Sequence, residues 1–234
     1  MSNKICNQRD RRQTILVMVG IAAIALLATW ALIGGNWPGG LAGPVNAGPD
    51  PSVPRGITDG GYHYLGNPDA PIKMVLYEDY ACPNCRSFFE ATEEALIENY
   101  VATGDVWLEL HPIAIISANS LPAAQAVFCA AEQDAFWEYR ELIFLNQGTL
   151  AFRRDNFGLI AERLKLDRDA FIDCYDRGAY EAPILQESVA AQNFGVEGTP
   201  TFIIAGERFP KPGETTLPDV FEILNQKLSE VNDE

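Results

Sequence analysis

Residues 72–85 read IKMVLYEDYACPNC, and this stretch determines how the rest of the sequence is interpreted. The apolar, β-prone run over residues 72–79 predicts a buried strand that opens after Pro71. Pro83 suits the first position of a helix, which makes Cys82 the N-cap. A Cys-x-x-Cys pair is therefore expected where a strand passes into the start of a helix.

That placement predicts thiol chemistry. A helix N-terminus carries unpaired backbone N–H groups and the positive end of the helix dipole, and both stabilise a thiolate. The thiolate is the form of cysteine that attacks a disulfide. We assign Cys82, expected at the exposed end, as the nucleophile and Cys85, one turn into the helix, as the resolving thiol. Pro83 and Asn84 support the pair from between them.

Two other roles for the cysteine pair are half of a zinc site and a purely structural one. Zinc sites need four ligands, and the sequence has no second Cys-x-x-Cys or His-x-x-His pair. His63 and His111 are isolated in the sequence and are expected to be ordinary surface or core residues. We therefore predict no metal site.

The remaining periodicity predicts an α/β protein. The helix after the cysteines is expected to continue to about residue 102, followed by a strand over 106–110. Strand character returns at 201–205 with a hairpin, and a last helix is predicted over 218–229. A block of helices at about 117–193 lies between these units, which fits a small α/β sheet with one large insertion. Its predicted helices are 121–132, 135–146, 155–165, 169–177 and 181–193.

The motif Cys82-Pro83-Asn84-Cys85 after a strand resembles the DsbA branch of the thioredoxin superfamily, and so does Gly198-Thr199-Pro200-Thr201-Phe202 late in the chain. Residues 65–71 and Phe136-Trp137 resemble it as well, so the likeness covers about residues 60–232. It implies a thioredoxin fold with a helical insertion and a single-domain thiol:disulfide oxidoreductase that needs no cofactor beyond its cysteines. It also implies reoxidation by a membrane quinone reductase of the DsbB or VKOR type.

The same resemblance makes Pro200 the cis proline beside Cys82 and counts it in the catalytic site. Cis bonds are nearly confined to X–Pro, which agrees with this expectation. Thr199 is then expected to offer its backbone groups to a bound peptide in strand fashion. The alternative is a plain trans proline at the start of a strand.

Two acidic residues before the motif bear on its redox strength. The most strongly oxidising members of the family have His where this chain has Asn84, which offers no charge to the thiolate. Glu78 and Asp79 should raise the pKa of Cys82, and either could pass a proton to Cys85 if buried. Both could instead be solvent-exposed at the strand end, and we favour that for Glu78.

The other three cysteines lie outside the motif. Cys129 and Cys174 fall in the helical insertion, 45 positions apart, and an exported domain favours a disulfide between them. The alternative is two buried free thiols. Cys6 is left over and is expected to be a free thiol, although acylation near the membrane is an alternative.

A run of 20 uncharged residues from Thr14 to Ile33 predicts a membrane anchor. As a helix it would be about 30 Å long, which matches a hydrocarbon core. Basic residues precede it, so residues 1–13 are expected in the cytoplasm and the body outside, in the periplasm or an equivalent space. A cleaved signal peptide is the alternative. Residues 34–55, rich in Gly and Pro, form a linker to a body at 56–234.

The charge of the chain excludes one class of protein and supports this topology. The formal net charge is −15, which argues against nucleic-acid binding. Residues 1–54 hold four basic and two acidic residues, which leaves 13 basic and 30 acidic residues in 55–234. The two parts are therefore expected to face different environments.

We consider two classes of function. The first is a tethered oxidoreductase that introduces disulfides into exported proteins, with isomerase or reductase activity as the variant. The second is a tethered chaperone or metallochaperone whose cysteines hold a soft metal such as Cu(I). Met74 is the only methionine in the body, which weighs against a copper site.

Overall fold

The computed structural model describes residues 40–43, 48–211 and 219–233. The chain divides between residues 44 and 45 into two units, and everything that follows concerns the second. The predicted anchor over 14–33 and Cys6 lie outside the described residues. Within the described residues, no helix is both long and apolar enough to span a membrane.

The centre of the body is a six-stranded sheet with the order β1-β2-β4-β3-β5-β6. Strand β3 lies in the middle, parallel to β4 and antiparallel to β5. Its alternate residues Ile72, Met74 and Leu76 are fully buried, so one face of the sheet packs against the core. The strands are β1 Arg55–Ile57, β2 His63–Leu65, β3 Ile72–Glu78, β4 Val106–Pro112, β5 Thr201–Ile204 and β6 Glu207–Phe209.

The sequence did not predict β1 and β2. Each has only three residues, which is too short for an alternating pattern to stand out. They pair with each other, and β2 extends the sheet through β4.

Helix α1, residues 83–101, carries the cysteine motif across the sheet from β3 to β4, as parallel strands require. It begins with Pro83 in its first turn and Cys82 as the N-cap, as predicted. The helix alternates between two geometries. Pro83–Phe88 and Glu94–Leu96 are α-helical, whereas Phe89–Glu93 and Ile97–Val101 are π-helical, with wider turns.

The helical insertion is confirmed, and its five helices lie within two residues of their predicted bounds. The side chain of Asp167 accepts hydrogen bonds from the backbone N–H groups of Asp169 and Ala170, so it caps the fourth of them. A last helix follows β6 in the chain. The helices are α2 Ser120–Ala131, α3 Phe136–Leu145, α4 Arg154–Arg163, α5 Arg168–Asp176, α6 Glu181–Asn193 and α7 Val220–Asn232.

Inside the insertion, Cys129 of α2 and Cys174 of α5 form a disulfide. Their Cα atoms are 5.7 Å apart, and both residues are fully buried. The bridge therefore joins two helices of the insertion away from solvent.

The segment before β1 also contacts the body. The backbone N–H of Gly48 donates to a carboxylate oxygen of Glu141 on α3 at 2.6 Å. The guanidinium of Arg55 donates to the carbonyls of Pro49 and Asp50 at 3.0 and 2.6 Å. Residues 48–55, assigned to the linker from their Pro and Gly content, thus lie against the folded body.

Candidate active site

Cys82 and Cys85 lie at the start of α1, just beyond the end of β3, and both are free thiols. They are 3% and 2% exposed. Cys82, expected at the exposed end, has as little accessible surface as Cys85, but it lies at the helix end and is less deeply buried. The two residues differ further in the ionisation of their thiols.

The two thiols are shifted in opposite directions. A hydrogen bond from Cys85 lowers the pKa of Cys82 to about 6 against the opposing effect of burial, and Thr199 and the backbone N–H groups of Cys85 and Asn84 assist. Burial raises the pKa of Cys85 well above its usual range. At neutral pH the site therefore holds a thiolate at Cys82 and a protonated thiol at Cys85.

The loop before β5 completes the site. The Thr199–Pro200 peptide bond is cis. The Cys82 sulfur lies 3.1 Å from the carbonyl oxygen of Thr199, which accepts a hydrogen bond from it when Cys82 is protonated. Thr199 is 7% exposed, and its side chain lowers the pKa of both cysteines. The structure thus brings Thr199 and Pro200 to the cysteine pair, 117 positions away in the chain.

Asp79 is fully buried and holds the turn that leads into the motif. Its carboxylate accepts hydrogen bonds from the backbone N–H groups of Ala81 at 2.8 Å, Ile115 at 2.9 Å and Ile116 at 3.0 Å. Its own backbone N–H donates to the sulfur of Cys85 at 3.5 Å. The carboxylate oxygens are therefore engaged with backbone donors, so Asp79 positions the turn.

Glu78 is also buried, at 1% exposure, and the expectation that it faces solvent is wrong. Arg140 of α3 donates to both of its oxygens, at 2.7 and 2.6 Å, and to both oxygens of Glu93 on α1, at 2.6 and 2.7 Å. Burial raises the pKa of Glu78, and Arg140 opposes this. Arg140 comes from the insertion, 62 positions from Glu78, so no local sequence pattern could predict this pair.

A cavity of about 450 Å³ opens beside the motif at Ala81. The loop 148–152, which follows α3, forms one wall, and Ser117 and Asn119 form another. None of its lining residues is charged. The cavity beside Ala81 is therefore uncharged, in a body that is strongly acidic.

The two histidines lie within the body. His63 stacks on Phe136 with ring centroids 3.8 Å apart, and burial lowers its pKa to about 4. The ring nitrogens of His111 are 2.6 and 2.7 Å from carboxylate oxygens of Glu109 and Glu187. Burial lowers the pKa of His111, but these hydrogen bonds outweigh it and the net shift is upward.

Three comparisons with known proteins bear on the family. A thioredoxin family model matches residues 58–219. The chain is 36% identical over 150 residues to the Na(+)/H(+) antiporter NhaA 3 of Salinispora tropica, but this covers 64% of the chain and only 22% of that much longer protein. It is 27% identical over 155 residues to the "Probable disulfide bond formation protein D" of Bacillus anthracis, covering 61% and 69% of the two chains.

Among solved structures, oxidised BdbD from Bacillus subtilis superposes with a TM-score of 0.62 at 21% identity. The match covers 71% of this chain and 92% of that one, which shows a shared fold. The family model spans most of the body, and the structure shows the insertion and the paired cysteines that the motif resemblance implied. The chain therefore belongs to the thioredoxin superfamily.

Proposed function

We propose that this protein is a thiol:disulfide oxidoreductase that introduces disulfides into exported proteins. The observation that carries the proposal is the split between the thiols: the pKa of Cys82 is lowered to about 6, whereas burial raises that of Cys85. A stabilised thiolate is a good leaving group in disulfide exchange. The arrangement therefore suits a protein that gives up its disulfide readily.

The reaction begins with Cys82 and Cys85 joined as a disulfide. A substrate thiolate attacks the sulfur of Cys82, a mixed disulfide forms, and Cys85 leaves and takes up a proton because its thiol pKa is high. A second substrate thiolate then attacks the substrate sulfur of the mixed disulfide and releases Cys82 as a thiolate. The substrate loses two electrons and gains a disulfide, and the cysteine pair gains those two electrons.

The carbonyl of Thr199 lies where the substrate must approach. It is 3.1 Å from the Cys82 sulfur and belongs to the loop that leads into β5, two residues before the strand begins. An extended peptide can pair through its backbone with the backbone groups of this loop while its cysteine meets the thiol. We assign Thr199 and Pro200 to this positioning role.

We further propose that the body lies outside the cytoplasm, tethered by the run over 14–33, and that a membrane reoxidant of the DsbB or VKOR type restores the disulfide. The uncharged 20-residue run with its basic flank supports the tether. The buried Cys129–Cys174 bridge supports an oxidising compartment, where such bonds persist. The Bacillus anthracis relative is named as a probable disulfide bond formation protein, which supports oxidation of substrate thiols as the direction of the reaction.

The catalytic roles are tested by replacing each cysteine and following oxidation of a reduced peptide. Cys82→Ala should abolish oxidation and form no adducts. Cys85→Ala should also stop turnover but should trap mixed disulfides with disulfide-containing peptide, because Cys85, the thiol that attacks the Cys82 sulfur of such an adduct, is gone. The matched control is the double variant Cys129→Ala/Cys174→Ala, which should keep its activity. Normal turnover by Cys85→Ala would show that the assignment of roles is wrong.

The location is tested with reporter fusions after Glu234. A reporter enzyme that works only outside the cytoplasm should be active there, because the basic flank precedes the apolar run. An active cytoplasm-only reporter at the same point would exclude export.

A further inference from the structure

Gln147, two residues beyond the end of α3, reaches from the helical insertion to the turn that precedes the cysteines. Its side-chain nitrogen donates to the carbonyl oxygens of Tyr80 at 2.9 Å and Cys82 at 3.1 Å. Its own carbonyl oxygen accepts from the guanidinium of Arg86 at 2.5 Å. Hydrogen bonds donated in both directions therefore link the insertion to the first turn of α1 and to the residues just before it.

The carbonyls of Tyr80 and Cys82 belong to the turn whose geometry sets how well the Cys82 thiolate is stabilised. The Cys82 carbonyl also accepts from the backbone N–H of Arg86 at 3.2 Å, the bond that closes the first turn of α1. The same turn presents the N–H groups of Asn84 and Cys85 to the Cys82 sulfur, and these lower the pKa of Cys82. A rotation of the Cys82 peptide plane would change how well they stabilise the thiolate.

The contact requires a donor at position 147. Both partners of the side-chain nitrogen are carbonyl oxygens, and a primary amide supplies one N–H to each. A carboxylate there would set negative charge against two acceptors and close to the thiolate. The bond to Arg86 uses the backbone of Gln147, so replacing the side chain leaves that bond in place and isolates the amide.

We propose that Gln147 is a positioning residue for the cysteine pair: by holding the carbonyls of Tyr80 and Cys82 it stabilises the Cys82 thiolate and makes the disulfide a stronger oxidant. This inference rests on the proposed function, since it concerns the same site. The proposal gives the helical insertion a direct part in setting how readily the Cys82–Cys85 disulfide is reduced.

The test compares Gln147→Met, which keeps the length of the side chain but has no donor, with the wild-type protein. Titration of the thiolate absorbance should show a raised Cys82 pKa. Equilibration with glutathione should show a disulfide that is about fivefold harder to reduce, the effect of losing one hydrogen bond of ordinary strength. Gln147→Glu should shift both quantities further in the same direction.

Gln133 provides the matched control. Its amide bridges the backbone in the same manner, donating to the carbonyl of Asp167 at 3.0 Å and accepting from its N–H at 2.7 Å, within the insertion. Gln133→Met should lower the stability of the protein and leave the thiolate pKa and the glutathione equilibrium unchanged. A merely structural glutamine at position 147 would behave in the same way.

The proposal is overturned if Gln147→Met matches Gln133→Met, with lower stability and both redox quantities at wild-type values. If Gln147→Met does not fold, Gln147→Asn keeps the amide but shortens its reach, and wild-type redox values in that variant would overturn the proposal equally. Peptide oxidation by the wild-type protein is measured alongside. Its absence would exclude the proposed function, while the comparison of thiolate pKa values would still decide the role of Gln147.

Discussion

Asn84 stands between the two cysteines, yet only its backbone N–H stabilises the Cys82 thiolate. The side chain adds no charge at the place where strongly oxidising relatives carry a histidine. The structure nevertheless lowers the pKa of Cys82 to about 6 through hydrogen bonds alone. A positively charged side chain at position 84 could therefore lower the pKa of Cys82 further.

We expect Asn84→His to make the protein a stronger oxidant, because an imidazolium beside the thiolate favours its charged form. A fall of one unit in the thiolate pKa corresponds to a rise of about 30 mV in the reduction potential. Titration of the thiolate absorbance and equilibration with glutathione measure both. Asn99→His, the same substitution at an exposed site of α1, should change neither, and an equal shift in that control would contradict the prediction.

At the scale of residues, the sequence predicted what depends on local spacing. The cysteine pair, its N-cap and the proline before β5 could be identified because their chemistry requires fixed neighbours. Glu78 was misplaced and Arg140 and Gln147 were missed, because their partners lie at least 47 positions away. A glutamate at a strand end and an arginine inside a helix look the same in sequence whether they face water or each other.

His63 belongs to the scale of elements, because it sits where β2 meets α3. Its pKa of about 4 in the folded protein lies below the usual 6.5, so the unfolded chain binds the proton more tightly. This group therefore costs stability as the pH falls from about 6.5 towards 4, by about 3 kcal/mol in total. His63→Phe should make the fall in unfolding free energy between pH 7 and pH 4 shallower, as urea titrations would show.

His111 provides a comparison of opposite sign. Its pKa in the folded protein is raised, so its bonds to Glu109 and Glu187 stabilise the fold below the unfolded pKa and weaken as the pH rises through the folded value. His111→Asn should therefore steepen the loss of stability in acid. If His63→Phe and His111→Asn changed the pH dependence of the unfolding free energy in the same direction, the opposite pKa shifts assigned to the two histidines would be wrong.

Three elements meet at Arg140: β3 ends at Glu78, α1 supplies Glu93, and α3 supplies the guanidinium. We expect Arg140→Met to lower the unfolding free energy by about 3–5 kcal/mol, because two carboxylates are left buried without a partner. Urea unfolding measures this, and adding Glu78→Gln and Glu93→Gln should restore part of the loss.

Arg154 is the matched control for that variant, since it binds Asp176 through two bonds of 2.6 Å on the exposed surface. Arg154→Met should lower the unfolding free energy far less than Arg140→Met does, because water screens an exposed pair. Similar costs for the two arginines would show that burial does not set the strength of the pair at Arg140.

At the scale of the whole molecule, the disulfide joins α2 to α5 without touching the reactive pair. Removing it with Cys129→Ala/Cys174→Ala should lower the unfolding free energy by about 4 kcal/mol, because the unfolded chain gains the freedom of a 45-residue loop. Denaturant midpoints measure the loss. Peptide oxidation should persist under conditions where the variant is folded, and a loss of oxidation there would indicate a role in the chemistry.

The architecture as a whole was predictable because long segments are separated by clear breaks. The helices of the insertion came within two residues of their observed bounds, since short stretches with polar residues or glycine separate one helix from the next. The short strands β1 and β2 carried no such signal, and neither did the change of geometry inside α1. Hydrogen-bond spacing within a helix depends on the packing around it, which a one-dimensional pattern does not contain.

That change of geometry matters for comparing this protein with its relatives. A π turn holds one residue more than an α turn, and Glu93 is the last residue of the first such segment. Removing one residue there would rotate the side chains that follow by about 100° around the helix axis. A relative without the segment would therefore align with this chain only through a one-residue gap inside the helix, and a gap placed elsewhere would change the residue matched to Glu93.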